Sequence, residues 1–174
     1  DHEAVTNLIK SDTMNMDTWN TEKTAVFVAI SETNKAYSFL VSTFFTVVFD
    51  QLTHQVDAII QGQKKGYGPE NLLHVQFIFD EFANCGKIPH FNEVLSSIRS
   101  REMSIKIIIQ AISQLDSLYG LPARKSIVNN CATLLFLGTN DEDTMKYFSM
   151  RAGKQTIIQT SYSEQRGQRV SGTT

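Results

Sequence analysis

Short apolar runs alternate with stretches of helical spacing along this chain, and the alternation predicts an α/β fold. Four runs predict buried strands, at residues 24–31, 74–80, 104–110 and 132–137. They are rich in β-branched and aromatic residues, which favour pleated structure. Because the runs are apolar on both faces, they are typical of a parallel sheet that helices cover on both sides.

Apolar residues at three- and four-residue spacing predict the helices between these strands. The predicted helices lie at 35–60, 91–101, 112–118 and 139–150. The first is long and heavily buried. In the last, Thr139 and Glu142 have the spacing of a capping box.

Length and composition are those of about one domain. The chain has 174 residues, of which 41% are hydrophobic, so it can bury a sizeable core. We expect residues 1–20 to be the lead-in from a preceding region and residues 21–160 to be the folded unit. Residues 161–174 are polar and predict a tail or a truncated edge element. The chain does not begin with Met, and we expect it to be a piece of a longer protein.

Charge, cysteines and histidines argue against several classes of protein. The net charge is −2, which argues against a domain that binds nucleic acid through its overall charge. Cys85 and Cys131 form no CxxC pair, and the four histidines have no ligand spacing; we therefore expect no zinc site. No segment reaches the roughly 18 apolar residues that a membrane span needs, so we expect this part to be soluble.

Two adjacent carboxylates, Asp80 and Glu81, end the second apolar run. Charged groups at the end of a buried strand are costly unless they are used, and the two side chains point in different directions. In P-loop ATPases this pattern is the Walker B motif, in which the first acid holds Mg²⁺ and the second orients the attacking water. In many other α/β proteins such an Asp only caps the next helix.

Polar residues near the third run add to the ATPase interpretation. Gln110 ends that run, at the sheet edge where Asp80 also lies if the strands are parallel. It either senses the γ-phosphate, as strand-end amides do in RecA-like ATPases, or caps the helix that follows. Arg99 and Arg101 flank the apolar face of the 91–101 helix. They are either two solvated surface charges, or Arg99 reaches the nucleotide of a neighbouring subunit.

Four segments carry a more specific signal, and they are DEFANCGKIP (80–89), SIRSRE (97–102), IIQAISQLDSLYG (108–120) and NNCATLLFLGTNDEDT (129–144). Their order and spacing, together with the lead-in EKTAVFVAIS (22–31), resemble the TraG-type coupling ATPases of type IV secretion. The resemblance covers most of the chain.

The resemblance implies a RecA-like three-layer sandwich with a mainly parallel sheet, of which this chain is an incomplete fragment. It also implies a homo-hexameric ATPase that uses ATP and Mg²⁺. Helices outside this chain would anchor it at the cytoplasmic face of the bacterial cell membrane. Such a protein recruits the relaxase–DNA complex, the relaxosome, and drives single-stranded DNA through a type IV secretion channel.

The resemblance assigns roles to individual residues. Asp80 would hold Mg²⁺ through water and contact the nucleotide, and Glu81 would polarise the attacking water. Gln110 would sense the nucleotide, and Arg99 would be the arginine finger, with Arg101 as the alternative. Three further residues match motif positions that carry no assigned role, and they are Gln114, Asn129 and Asn130.

The phosphate-binding element of such ATPases is missing from the sequence. A P-loop needs G-x-x-x-x-G-K-[ST], whereas Gly153-Lys154 is followed by Gln155, and residues 62–68 hold no such motif. We therefore expect the P-loop upstream of Asp1, and we expect the chain to be inactive by itself. Two other interpretations stay open, namely another RecA-like DNA pump of the FtsK or HerA type, and a non-catalytic α/β docking module.

Overall fold

The chain folds into alternating helices and strands. The structure is a computed structural model, and it describes residues 14–31 and 35–154. The α-helices are α1 (Ser38–Ile60), α2 (Phe91–Ser97), α3 (Ile112–Tyr119), α4 (Leu121–Asn130) and α5 (Glu142–Ala152), and the strands are β1 (Val75–Phe79) and β2 (Met103–Ile107). Short 3-10 helices lie at Met16–Thr18, Lys35–Tyr37, Pro69–Asn71, Phe82–Cys85 and Ile98–Arg101. The mixed α/β class that the sequence predicts is therefore confirmed.

The strands β1 and β2 pair in parallel, as the sequence predicts. The register places Val75 opposite Met103 and Phe79 opposite Ile107. The connection between them contains α2, so the two strands and this helix form a βαβ unit. Because the strands are parallel, both end at the same edge of the sheet.

The other two predicted strands, 24–31 and 132–137, are not strands in the structure. In the described part of the chain the sheet consists of β1 and β2 alone. Phe27 is 94% exposed and Leu137 is 88% exposed, so these runs leave apolar side chains in solvent. The reason is that β-propensity expresses packing against a neighbouring strand, and no described strand pairs with either run. The larger sheet of a three-layer sandwich is therefore absent from the described residues.

Aromatic side chains fill the interface between α1 and the sheet. Phe45 contacts Phe79 with ring centroids 4.7 Å apart, and Phe49 contacts Phe77 at 4.8 Å. Phe45 and Phe49 lie one helical turn apart on the apolar face of α1. Aromatic contacts of this kind contribute about 0.5–1.5 kcal/mol beyond the burial of area. They fix the position of β1, and hence of the residues that follow it.

A second group of aromatic residues packs where β1 leads into the Phe82–Cys85 turn. Phe82 is fully buried, and its ring centroid lies 4.9 Å from that of Phe91 and 6.1 Å from that of Tyr119. The Tyr119 hydroxyl accepts a hydrogen bond from the Ile88 N–H at 3.0 Å. These contacts tie the end of β1 to α2 and α3.

Helix α4 is not among the predicted helices. Gly120 lies between α3 and α4 and has φ 79°. Glycine adopts such a positive φ more easily than other residues, and it commonly ends helices for this reason. Pro122 lies in the first turn of α4, where its missing N–H costs no hydrogen bond. This glycine and proline end one helix and begin the next.

The predicted cap of the last helix is wrong. Asp141 is the N-cap of α5, and its carboxylate accepts a hydrogen bond from the Thr144 N–H at 2.9 Å. The hydroxyl of Thr139 instead accepts from the Asp141 N–H at 3.1 Å. Thr139 thus supports the turn before α5, and the helix begins at Glu142.

The predicted domain boundary at residue 20 lies within the described residues, and the one at residue 160 lies outside them. Residues 1–13 and 155–174 lie outside the part that the structure describes, so the division at residues 20 and 160 stays a prediction. Among the helices of the described part, none combines the length and the apolar character that crossing a membrane requires.

Candidate functional site

Asp80 and Glu81 follow β1 directly, at the sheet edge where β2 also ends. The Asp80 side chain is exposed and has no hydrogen bond or ion pair with the described residues. Glu81 is half-buried and has φ 57° and ψ 67°. This left-handed conformation is uncommon outside glycine. One carboxylate is therefore open to solvent, whereas the other sits on a constrained backbone.

The backbone around Glu81 is fixed by hydrogen bonds on its C-terminal side. The Phe82 N–H donates to the Ile108 carbonyl at 2.9 Å, and the Asn84 N–H donates to the Glu81 carbonyl at 3.0 Å. Since Phe82 is also buried in the core, the surrounding structure holds Glu81 in its strained conformation. Strain of this kind clusters at functional sites.

Gln110 lies three residues beyond the end of β2, at the same sheet edge as Asp80 and Glu81. Its side chain is exposed and has no hydrogen-bond partner among the described residues. Its backbone N–H donates to the Oε1 atom of Gln114 at 2.9 Å. The Nε2 atom of Gln114 in turn donates to the Oε1 atom of Glu81 at 3.0 Å. The polar groups at the two strand ends are thus connected.

The start of α5 supports this edge of the sheet. The Thr144 hydroxyl accepts from the Ile112 N–H at 2.9 Å and donates to the Asp141 carboxylate at 2.6 Å. Hydrogen bonds from the hydroxyl and the N–H of Thr144 lower the pKa of Asp141. The Thr139 hydroxyl donates to the Gln110 carbonyl at 3.5 Å. Contacts from Thr144 of α5 and from Thr139 in the preceding turn therefore hold the segment that joins β2 to α3.

Arg99 and Arg101 lie at the opposite end of β2, in the 3-10 helix that precedes it. At about 3.3 Å per strand residue, the distance to Gln110 is on the order of 20 Å. Arg99 is exposed and has no partner among the described residues, whereas Arg101 pairs with Asp57. The structure therefore brings Asp80, Glu81 and Gln110 together and leaves both arginines apart from them.

A family model described as "TraM recognition site of TraD and TraG" matches residues 74–174 of the chain. This match covers more than half of the sequence and includes β1, β2 and the polar residues at their ends. The chain belongs to the TraD/TraG family. The resemblance to TraG-type coupling proteins is therefore confirmed.

Curated relatives of this TraD/TraG chain are VirD4 proteins. The chain is 24% identical over 147 residues to protein VirD4 of Rhizobium rhizogenes and to that of Agrobacterium fabrum. Each alignment covers 83% of this chain and 21% of the relative, so the chain spans about a fifth of the length of these relatives. No solved structure matches the chain.

The polar residues of this family member fit part of what Mg²⁺–ATP requires. Asp80 supplies an exposed carboxylate and Gln110 an exposed carboxamide at one sheet edge, and Mg²⁺ prefers oxygen ligands of this kind alongside phosphate and water. In the described ranges no group of three or more His, Cys, Asp or Glu side chains is placed to hold a metal ion. Asp80 and Gln110 therefore fit the Mg²⁺ ion of Mg²⁺–ATP, but they supply no backbone loop that could bind its phosphates.

The contact of Gln114 with Glu81 is the feature of this TraD/TraG chain that sequence reasoning missed. Gln114 matches a motif position, yet the spacing assigns it no role. The two side chains are 33 residues apart, and only the parallel pairing of β1 and β2 brings them together. One signal was present, because Gln114 follows Gln110 by four residues across the start of a predicted helix.

Proposed function

We propose that this chain is the C-terminal part of the RecA-like motor domain of a type IV secretion coupling ATPase. Such a motor recruits relaxase-bound DNA and drives single-stranded DNA through the secretion channel. One observation carries the proposal: Asp80 and Glu81 end β1 at the same edge where Gln110 follows β2. Open α/β sheets bind their ligands at this edge, and the TraD/TraG family match includes all three residues.

The different surroundings of the two acids support different roles. Asp80 is exposed and would hold Mg²⁺ through water, while the free carboxamide of Gln110 would contact the terminal phosphate. Glu81 is held in place by Gln114 and would orient and polarise the attacking water. Mg²⁺, when bound, supplies positive charge that offsets the charge of the phosphates.

The proposed motor needs groups from outside this chain. The phosphate cradle would come from a P-loop elsewhere in a longer protein, since the chain has no Gly-Lys-Ser/Thr sequence. Arg99 lies at the far end of β2 from the acids, so it would act on the nucleotide of a neighbouring subunit in a hexamer. Turnover therefore requires the longer, assembled protein.

The proposed partners follow from the family. The family description names recognition of TraM, which supports contact with a protein partner. The same description supports a docking function for residues 74–174. Docking of a partner is compatible with motor activity. We propose that helices of the longer protein anchor it at the cytoplasmic face of the bacterial cell membrane, as the resemblance to TraG-type coupling ATPases implies.

The decisive experiment compares ATP binding and ATP turnover in variants of the longer protein in which single carboxylates are replaced. Glu81→Gln should retain ATP binding and lose turnover, because an amide keeps the size of the side chain but cannot polarise water as a carboxylate does. Asp80→Ala should weaken Mg²⁺-dependent ATP binding. Glu93→Gln is the matched control, since Glu93 is exposed on α2 away from the strand ends, and its turnover should equal that of the wild type.

Two results would refute the proposed roles. If Glu81→Gln hydrolyses ATP at the wild-type rate, Glu81 does not act on the water. If Asp80→Ala and Glu81→Gln lose nucleotide affinity equally, the division of roles between the acids is wrong. A docking module without motor activity would bind its partner in all variants and hydrolyse no ATP in any of them.

A further inference from the structure

The side-chain amide of Gln114 uses both of its ends at the candidate site. Its Nε2 atom donates to the Oε1 atom of Glu81 at 3.0 Å. Its Oε1 atom accepts from the N–H of Gln110 at 2.9 Å and from that of Ala111 at 3.4 Å. Because backbone N–H groups only donate and an ionised carboxylate only accepts, chemistry fixes the orientation of this amide.

Gln114 projects from a well-anchored helical turn. It lies in the first turn of α3, which buries Ile112 and Leu115 in the core. The N–H of Ile112 is bound by the Thr144 hydroxyl of α5 at 2.9 Å. A side chain on a rigid element holds its partner more accurately than one on a loop.

Glu81 depends on such a partner for its orientation. Its backbone is fixed by the hydrogen bond of the Phe82 N–H to Ile108, but a glutamate side chain has several rotatable bonds. In the described part of the chain, Gln114 is the hydrogen-bond partner of the Glu81 carboxylate, and Glu81 has no ion pair there. The position of the carboxylate therefore follows the position of the Gln114 amide.

We infer that Gln114 is a positioning residue, which orients the Glu81 carboxylate and links its position to that of the backbone segment that carries Gln110. The inference rests on the proposed function, in which Glu81 acts on water and Gln110 contacts the terminal phosphate. Because one amide binds both groups, a displacement of the Gln110–Ala111 segment moves Glu81 as well. Occupation of the phosphate site would thereby be transmitted to the group that acts on water.

The first test measures kcat and KM in the longer hexameric protein. Gln114→Glu keeps an oxygen that accepts from Gln110 and Ala111, but it removes the donor to Glu81 and adds a like charge. We expect kcat to fall by about 10- to 100-fold, the range expected for a misplaced catalytic group, with KM for ATP nearly unchanged. Ser117→Ala is the matched control, because Ser117 is exposed on the same helix, and its kcat should equal that of the wild type.

The second test follows the pH dependence of the same variants. The introduced carboxyl can donate to Glu81 only when it is protonated, and a neighbouring carboxylate raises the pKa of the introduced group. The kcat of Gln114→Glu relative to the wild type should therefore rise as the pH falls from about 8 to about 6. Gln114→Met has no titratable group, so its kcat should be low and its ratio to the wild type should stay constant.

The outcomes separate this inference from the proposed function. Wild-type kcat in both Gln114 variants, or a pH-independent ratio in Gln114→Glu, would overturn the positioning role. Loss of ATP affinity in step with kcat in both variants would also overturn it, since it would indicate a purely structural role. In each case Glu81→Gln would still abolish turnover if the proposed function holds, whereas full turnover in Glu81→Gln would refute the proposed function itself.

Discussion

Arg101 and Asp57 form a two-point ion pair that joins the turn before β2 to helix α1. The Nε–Oδ1 distance is 3.1 Å and the Nη2–Oδ2 distance is 3.0 Å. Their side chains are 24% and 34% exposed, so water screens the pair only in part. Arg99, two residues earlier, is exposed and has no partner among the described residues. Arg101 is thus engaged within its own chain, whereas Arg99 is free to contact another molecule.

We expect Arg99→Ala to cut ATP hydrolysis severely in the longer hexameric protein and to leave the fold of each subunit intact. A guanidinium group is always charged and forked, which suits the charge that builds on phosphoryl oxygens. Arginine fingers are worth on the order of 10³- to 10⁵-fold in rate. Steady-state hydrolysis with purified hexamers measures the effect.

Mixing of subunits tests whether Arg99 acts between chains. Hexamers that combine Arg99→Ala with Glu81→Gln subunits should recover part of the activity, because some interfaces then pair an intact Glu81 with an intact Arg99. If mixed hexamers form and stay inactive, Arg99 is a surface charge or acts within its own chain. The same mixing experiment with Arg101→Ala would then be the next step.

We expect Arg101→Ala to lower the free energy of unfolding of the chain by about 1 kcal/mol, near the upper limit for ion pairs at a protein surface. The substitution removes both hydrogen bonds to Asp57. Urea unfolding measures the change. Arg99→Ala is the matched control and should change the free energy by less than about 0.5 kcal/mol; equal losses in the two variants would mean that the ion pair does not stabilise the fold.

We expect Thr144→Val to lower the free energy of unfolding by about 1–3 kcal/mol. The substitution preserves the size of the side chain but leaves the buried Ile112 N–H without its acceptor. Thr43→Val is the control, because Thr43 is exposed on α1 and donates only to the Phe39 carbonyl. If both variants unfold at the same urea concentration, the Thr144 hydroxyl contributes nothing to stability.

Thr144→Val should also change how the free energy of unfolding depends on pH in the acid range. Hydrogen bonds from Thr144 lower the pKa of Asp141 in the folded state, so their stabilisation is present above the pKa of the unfolded chain, about 3.9. It is lost as the pH falls through the lower pKa of the folded state. The difference in stability between the wild type and Thr144→Val should therefore shrink below about pH 4, which urea unfolding at pH 3 and pH 6 would measure.

β1, β2 and the polar residues at their ends were predictable from the sequence, whereas the lack of strands at 24–31 and 132–137 and the site contacts were not. β1 and β2 form because their apolar runs pair with each other and pack one face on the core, while Ile78 on the other face is 61% exposed. The runs at 24–31 and 132–137 have similar composition, but without a neighbouring strand the same propensity produces no strand. Composition alone does not report whether a partner strand is available.

The candidate site shows the same limit at the level of side chains. The places of Asp80 and Gln110 followed from where two apolar runs end. The hydrogen bond between Gln114 and Glu81 joins side chains 33 residues apart, and it requires the relative position of α3 and β1. The ion pair that engages Arg101 also depends on a tertiary contact, since Asp57 is 44 residues from Arg101.

We expect the Cys85 thiol to be unreactive in the folded chain. Cys85 is 1% exposed, and burial raises its pKa to about 11, so almost no thiolate is present at pH 8. Burial also raises the pKa of Cys131, but its side chain is only half-buried. Labelling with iodoacetamide at pH 8, read by mass spectrometry, should therefore modify Cys131 before Cys85, and urea should abolish the difference.

The raised pKa of Cys85 also predicts how the free energy of unfolding depends on pH in the alkaline range. The thiol of an unfolded chain loses its proton near pH 8.5, whereas the buried Cys85 thiol holds its proton to about pH 11. Deprotonation therefore favours the unfolded chain, and the free energy of unfolding should fall as the pH rises above about 8.5. Cys85→Ala removes this contribution, so the decline between pH 8 and pH 10 should be shallower in the variant. Equal slopes, or equal labelling of both cysteines in the folded chain, would show that Cys85 is not buried as the structure has it.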